Sequence, residues 1–228
     1  PQSYLKDMVY GGIDGTITTF AIVSGVVGAD LASGIVVILG LANLIADGFS
    51  MAVSNFLGTR AEQQFVQMVR TDEEKEIELI PEGEREEIRQ IYARKGFEGE
   101  LLEQVVEVIT SDKKVWVDTM LQEEHSLSLE GPDPKRSAWL TFLAFLIAGF
   151  VPVTPFIINL LIDNGMPNPF LWSAIATAIT FFAIGIFKAK VVSAKKIRSG
   201  IETVAIGGMA ATMAYGIGWL LRGVADNI

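Results

Sequence analysis

Long apolar runs and one long charged stretch alternate along this chain, and their lengths set the expected elements. Five segments, residues 8–28, 33–57, 138–162, 169–188 and 200–221, are apolar over roughly the 20 residues a helix needs to cross a hydrocarbon core. Helix is the expected form of each, because a bilayer offers no partner to an unpaired backbone group and the ten-residue alternation of a membrane barrel is missing. Between the second and third runs the pattern changes to helices with one apolar face, expected over 58–79, 82–95, 99–110 and 112–129. Ile88, Ile91, Leu101, Leu102, Val105, Val106, Val108, Ile109, Val115 and Trp116 supply their small core. The pattern predicts an all-α membrane protein: transmembrane helices 1 and 2 in residues 1–57, an acidic helical insertion in 58–136, and transmembrane helices 3 to 5 in 137–228.

Composition sharpens this picture. Half of the 228 residues are hydrophobic, yet 20% are charged, so the charge must be segregated. Arg60 to Arg136 holds 20 Asp and Glu against 11 Lys and Arg, an excess equal to the −9 of the whole chain. An acidic block of this kind attracts cations and repels nucleic acid. With no cysteine, disulfide frameworks and thiolate metal sites are excluded. The connections at 29–32 and 163–168 carry no Lys or Arg, whereas Lys6, the Lys135–Arg136 pair and the cluster Lys188, Lys190, Lys195, Lys196 and Arg198 fall on the opposite side. The positive-inside rule then places the N-terminus and the insertion in the cytosol and, after five spans, the C-terminus outside. The chain opens at Pro1 without an initiator Met, which leaves room for a removed N-terminal segment.

Within the spans, glycine and charge carry the information. Gly11, Gly12, Gly15, Gly25 and Gly28 make the first helix thin, and Gly11 with Gly15 form a small-xxx-small pair suited to close helix contact, across a dimer axis or as ordinary membrane-helix content. Pro152 and Pro155 are expected to kink the third span. A charged group at a helix centre costs at least about 2.5 kcal/mol and therefore marks a pathway more often than decoration. Asp14 and Asp47 qualify; Glu202, at i, i+4 from Arg198, reads as an interfacial salt bridge. Asn43, Asp47 and Met51 recur every four residues, so one face of the second helix presents oxygen and thioether together. A soft sulfur beside carboxylates suits a borderline ion such as Fe(II) better than Mg or Ca.

On the insertion, Glu73 with Glu76 and Glu84 with Glu87 are E-x-x-E pairs, and Met120 stands one turn before Glu124. This spacing puts both members of a pair on one helix face, as in carboxylate metal sites of helical bundles, although a solvated acidic face has the same spacing. His125, the single histidine, reads as an exposed helix-end residue, with accessory ligation as the alternative. No nucleotide-binding glycine motif and no Ser-His-Asp or Cys-His set can be assembled, so the chain is not expected to be an enzyme.

The runs at Met8 to Gly25 (MVYGGIDGTITTFAIVSG) and Gly40 to Met51 (GLANLIADGFSM), the D-P-K-R of Asp133 to Arg136, and the P-x-x-P of Pro152 and Pro155 resemble the vacuolar iron transporter family, in order and over nearly the whole chain. The resemblance implies a homodimer of five-span protomers whose helical cytosolic domain gathers metal, with translocation between protomers and exchange of Fe(II) against protons. Carried over, Asp14 and Met51 match intramembrane metal-path positions and Asp7 an acidic position at the cytosolic mouth. Glu73, Glu76, Glu84, Glu87, Met120 and Glu124 fall where the family's cytosolic metal ligands lie. Three positions depart: Asn43 where some members are acidic, Leu121 where a second Met can occur, and Asp47 where some are small, as if the second-span carboxylate had moved one turn. The implied activity is Fe(II)/H⁺ antiport out of the cytosol, with no organic cofactor. A Mn(II)-preferring transporter, an uncoupled channel and a membrane-anchored iron-sensing module are the alternatives. A vacuolar membrane and a bacterial inner membrane both fit.

Overall fold

The computed structural model describes residues 2–163 and 165–225, so the extreme ends and Asn164, which the sequence reading covers, lie outside the described residues. It is all helical, with no strand among those residues. The helices are α1 (Gln2–Gly28), α2 (Ser33–Leu79), α3 (Pro81–Arg94), α4 (Gly99–Thr110), α5 (Lys113–Glu123), α6 (Pro134–Phe150), α7 (Thr154–Leu161), α8 (Pro169–Val191), α9 (Lys196–Leu220) and α10 (Arg222–Ala225). Five spans are long and apolar enough to cross a bilayer: α1, α2, α6 continued by α7, α8 and α9. The chain divides into two compact units, Pro1–Phe56 with Pro134–Ile228, and Leu57–Asp133, and α2 contributes to both.

In the spanning unit α1 packs against α6, α8 and α9. Its glycines make this possible. A Cβ at Gly15 would stand 2.5 Å from the Phe145 carbonyl oxygen, one at Gly149 would stand 2.6 Å from the Gly15 oxygen, and one at Gly11 would strike the Thr141 carbonyl. Gly28 meets Tyr215 and Gly25 meets Gly218 of α9 in the same backbone-to-backbone way. The dimer-axis reading of Gly11 and Gly15 is thereby corrected: that face is filled by α6 of the same chain, because two helices carrying small residues gain most by letting their backbones touch. On α2 the buried positions Val36, Gly40, Leu44, Gly48 and Ala52 recur every four residues. Gly40 lies against Val153, and Gly48 against Phe142 and Phe145. Ile38, Ile45 and Phe49 on the same helix are exposed within the chain.

The expected kink is a single 3-10 turn, Val151–Val153, between α6 and α7. Pro152 and Pro155 have no N–H to donate, so the ladder tightens there, and Ser173 Oγ on α8 donates to the freed Pro152 carbonyl at 2.6 Å. Arg198 and Glu202 form no ion pair among the described residues, contrary to the expected salt bridge.

The acidic unit closes around Ile77, Ile88, Ile91, Val106, Ile109, Trp116, Val117, Met120 and Leu121. Leu101, Val108 and Val115, expected in this core, are exposed instead. On α4 the inward residues are Leu102, Val105, Val106 and Ile109, and Leu101 and Val108, seven apart, share the opposite face. Gly96 and Gly99, at φ +95° and +59°, turn the chain from α3 into α4 where a side chain would be strained. Asp112 caps α5 by accepting from the Lys114 N–H at 2.8 Å. The last helix is shorter than the expected 112–129: it ends at Glu123, and Ser126 at φ +55° lets the Leu127 N–H reach back to the Leu121 carbonyl.

Candidate metal sites

Most acidic residues of the helical unit are ordinary surface charges. Arg89 donates to Glu103 through two nitrogens at 2.8 and 2.9 Å and pairs with Glu86. Lys113 holds Glu78 at 2.5 Å, Arg70 holds Asp118 at 2.5 Å, Lys75 meets Asp72, and Lys95 pairs with Glu123. Among the described residues none of these bases reaches Glu73, Glu76, Glu84, Glu87 or Glu124.

Those five glutamates gather instead around one another. The spacing that put Glu73 and Glu76 on one face of α2, and Glu84 and Glu87 on one face of α3, is met by Glu124 and His125 at the end of α5. Carboxylate oxygens of Glu73, Glu76 and Glu84 lie within 4.8 Å of one another, and so do the donor atoms of Glu73, Glu124 and His125. Glu73 and Glu84 are buried, at 4% and 2% exposure, and each keeps one carboxylate oxygen enclosed without a hydrogen-bond partner. Burying a charge without a partner is costly, so such carboxylates either take up a proton or gain a cationic partner.

The electrostatics record the crowding. Burial, then the charges of Glu87, Glu73, Glu76 and Glu124, push Glu84 up to about 7. Glu87 is raised by burial and by the charge of Glu124, with which it also shares a hydrogen bond. His125 Nε2 sits 2.7 Å from Glu73 Oε1, and this bond, reinforced by the surrounding carboxylates, raises the imidazole above its usual range. His125 is exposed just beyond the end of α5, as expected, and it also reaches the buried Glu73, from 52 residues away in sequence. Met120 is fully enclosed in the core one turn before Glu124, with Leu121 beside it.

In the spanning unit the expected residues fall in three places. Asp14 and Met51 line one cavity of about 790 Å³ together with Lys6, Tyr10, Ile13 and Lys188. Asp47 is exposed on the surface of α2, close enough to Asp14 for the two carboxylates to interact, and Asn43 donates to Thr18 Oγ1 at 3.3 Å. Asp7, two turns before Asp14 on α1, accepts from Asn55 Nδ2 at 3.0 Å through Oδ1, while its Oδ2 is enclosed without a partner. Asn55 also donates to Thr141 Oγ1 at 2.7 Å, so it ties Asp7 to α6. Asn55 was not singled out from the sequence; its i+4 relation to Met51 was the available signal.

Comparison with known proteins supplies an independent result. The family model described as VIT family matches residues 5–219. The chain is 36% identical over 229 residues to the vacuolar iron transporter of Toxoplasma gondii, covering 97% of this chain and 75% of that protein. It is 33% identical to the vacuolar iron transporter of Plasmodium berghei over 97% of this chain and 83% of that one. Against vacuolar iron transporter 1 of Arabidopsis thaliana it is 32% identical over 92% and 83% of the two chains. All three are named as transporters, in agreement with the expectation that this chain is not an enzyme. A match that runs through every span and through the acidic unit between them leaves one assignment: the chain belongs to the VIT family.

Proposed function

We propose that this protein moves divalent transition metal, Fe(II) first, out of the cytosol across its membrane in exchange for protons, working as a homodimer. The observation that carries this reading is the glutamate cluster of the acidic unit, in which five carboxylates gather without a Lys or Arg partner among the described residues and two of them bury an unpartnered oxygen. In this role Glu73, Glu76, Glu84, Glu87 and Glu124, with the Met120 thioether from the core side, collect the ion on the cytosolic side. Asp7, Asp14, Met51 and Asp47, with Asn43 as an auxiliary oxygen, then pass it through the membrane.

Proton exchange follows from competition, because a carboxylate that binds a divalent cation must give up its proton, and protonation expels the ion. The homodimer is supported by the exposure of Asp47 on a spanning helix whose neighbouring Ile45 and Phe49 are also uncovered. A carboxylate facing lipid is expensive, and a second copy of the chain would cover it. The names of the relatives support a vacuolar membrane, and a bacterial inner membrane suits the same mechanism.

The test is uptake of Fe(II), Mn(II), Co(II) and Zn(II) into liposomes of the purified protein, with and without an imposed pH gradient. Gradient-dependent Fe(II) movement that Asp14→Asn abolishes and Asp47→Asn uncouples is the expected result. Movement indifferent to the gradient turns the reading to a channel, and binding without movement turns it to a membrane-anchored sensor.

A further inference from the structure

We infer that His125 is a nitrogen ligand of the metal site in the acidic unit, and that it biases this site toward ions that accept imidazole, such as Fe(II), Co(II) and Zn(II), and away from Mn(II). The inference deepens the proposed function and rests on its reading of the glutamate cluster.

His125 is held in place rather than left hanging from a helix end. Its backbone N–H returns to the Met120 carbonyl at 3.3 Å, and the turn at Ser126 brings the next N–H, that of Leu127, back to Leu121 at 2.8 Å. So anchored, the ring, though exposed, reaches across to α2 and sets Nε2 at 2.7 Å from Glu73 Oε1. The ligating atoms of Glu73, Glu124 and His125 fall within 4.8 Å of one another. Nitrogen and oxygen ligands of a small divalent ion stand about 2.0 to 2.2 Å from it, so opposite ligands are separated by somewhat over 4 Å and modest side-chain adjustment closes the set. The other oxygen of Glu73 is buried without a hydrogen-bond partner, and this group is suited to hold a cation independently of the histidine.

Glu73 belongs to both ligand groups, the oxygen-only set with Glu76 and Glu84 and the mixed set with Glu124 and His125. Their chemistries differ. Carboxylates alone suit Mg, Ca and Mn, whereas imidazole favours Fe, Zn, Ni and Cu. The one histidine of a chain without cysteine thus adds a nitrogen that helps separate Fe(II) from Mn(II) where carboxylates by themselves discriminate weakly.

The test measures Co(II) and Mn(II) binding to the full-length purified protein by titration calorimetry, in wild type and in His125→Ala, His125→Gln and Glu73→Ala. His125→Ala and His125→Gln are each expected to weaken Co(II) by about 10- to 100-fold, the usual cost of damaging a metal site, while Mn(II) changes by less than about threefold. Glutamine can still donate a hydrogen bond to Glu73, so Co(II) affinity retained in His125→Gln but lost in His125→Ala makes the histidine a positioning residue and overturns the inference. Equal changes for the two ions in His125→Ala overturn it as well. Glu73→Ala separates the two levels: if it loses both ions while the histidine variants lose neither, only the His125 assignment falls. If Glu73→Ala itself loses nothing, the glutamate site falls and the inference falls with it.

Discussion

In the spanning unit the helices meet through glycine, backbone against backbone, as Gly15 does with Phe145 and Gly28 with Tyr215. The acidic unit has its helices meet through Ile77, Ile88, Val106 and Trp116, side chain against side chain. The carboxylates are distributed in the opposite sense. Asp7 and Asp14 are spaced two turns apart along α1, while Glu73, Glu76, Glu84, Glu87 and Glu124 crowd into one place. The solvent explains the contrast. Lipid tails are as apolar as Leu, so helices in a bilayer gain little from burying apolar side chains and must gain from close approach. In water an apolar core supplies the cohesion, and a core of this kind can support a cluster of like charges that would be prohibitive inside a membrane.

The strongest way to break this comparison is steric. Gly15→Leu should destroy the α1–α6 contact, because nothing flexible stands in the way of the new side chain, only the Phe145 backbone; overpacking of this kind costs about 1–3 kcal/mol or more. Gly208→Leu on α9, with nothing within 4 Å, should change stability by no more than about 0.5 kcal/mol. Thermal unfolding of the two detergent-solubilised variants compares them directly. Equal behaviour would mean that glycine packing does not hold the spanning unit.

A second, smaller effect separates the two kinds of glutamate within the acidic unit. Replacing Glu73, Glu76, Glu84 and Glu87 by Ala should remove metal bound per protomer while the fold survives, since the core lies elsewhere. Replacing Glu86 and Glu103 by Ala should leave binding within about threefold, because these exposed partners of Arg89 make a salt bridge of little consequence, weakened further by salt. Calorimetric stoichiometry reads both; unchanged binding in the fourfold variant would make the cluster a solvated surface.

Acidity gives the finest distinction. Burial and the neighbouring carboxylates push Glu84 up to about 7 from a usual value of 4.5. In chelator-treated protein its contribution to stability is therefore full below pH 4.5 and lost as pH rises through about 7. Metal binding has the opposite sign: it should strengthen from pH 6 to 8 and release a proton from Glu84 wherever that carboxyl is still protonated. Buffers of different ionisation enthalpy measure that release in calorimetry. A binding enthalpy independent of the buffer would show that Glu84 is already ionised.

Much of this architecture was readable from the chain alone. A bilayer imposes length and apolarity on every span, so five runs of hydropathy identify five helices, and Pro152 with Pro155 announce the break in the third. Charge segregation and the E-x-x-E spacing likewise picked out Glu73, Glu76, Glu84 and Glu87, because helical periodicity determines which side chains share a face. It does not determine which faces meet. That α6 fills the Gly11 and Gly15 face, that Leu101 and Val108 point outward while Leu102 and Val106 point in, and that His125 closes on Glu73 were decided by tertiary packing. Contacts across 52 residues depend on how the helices are set against one another, and local pattern carries no record of it.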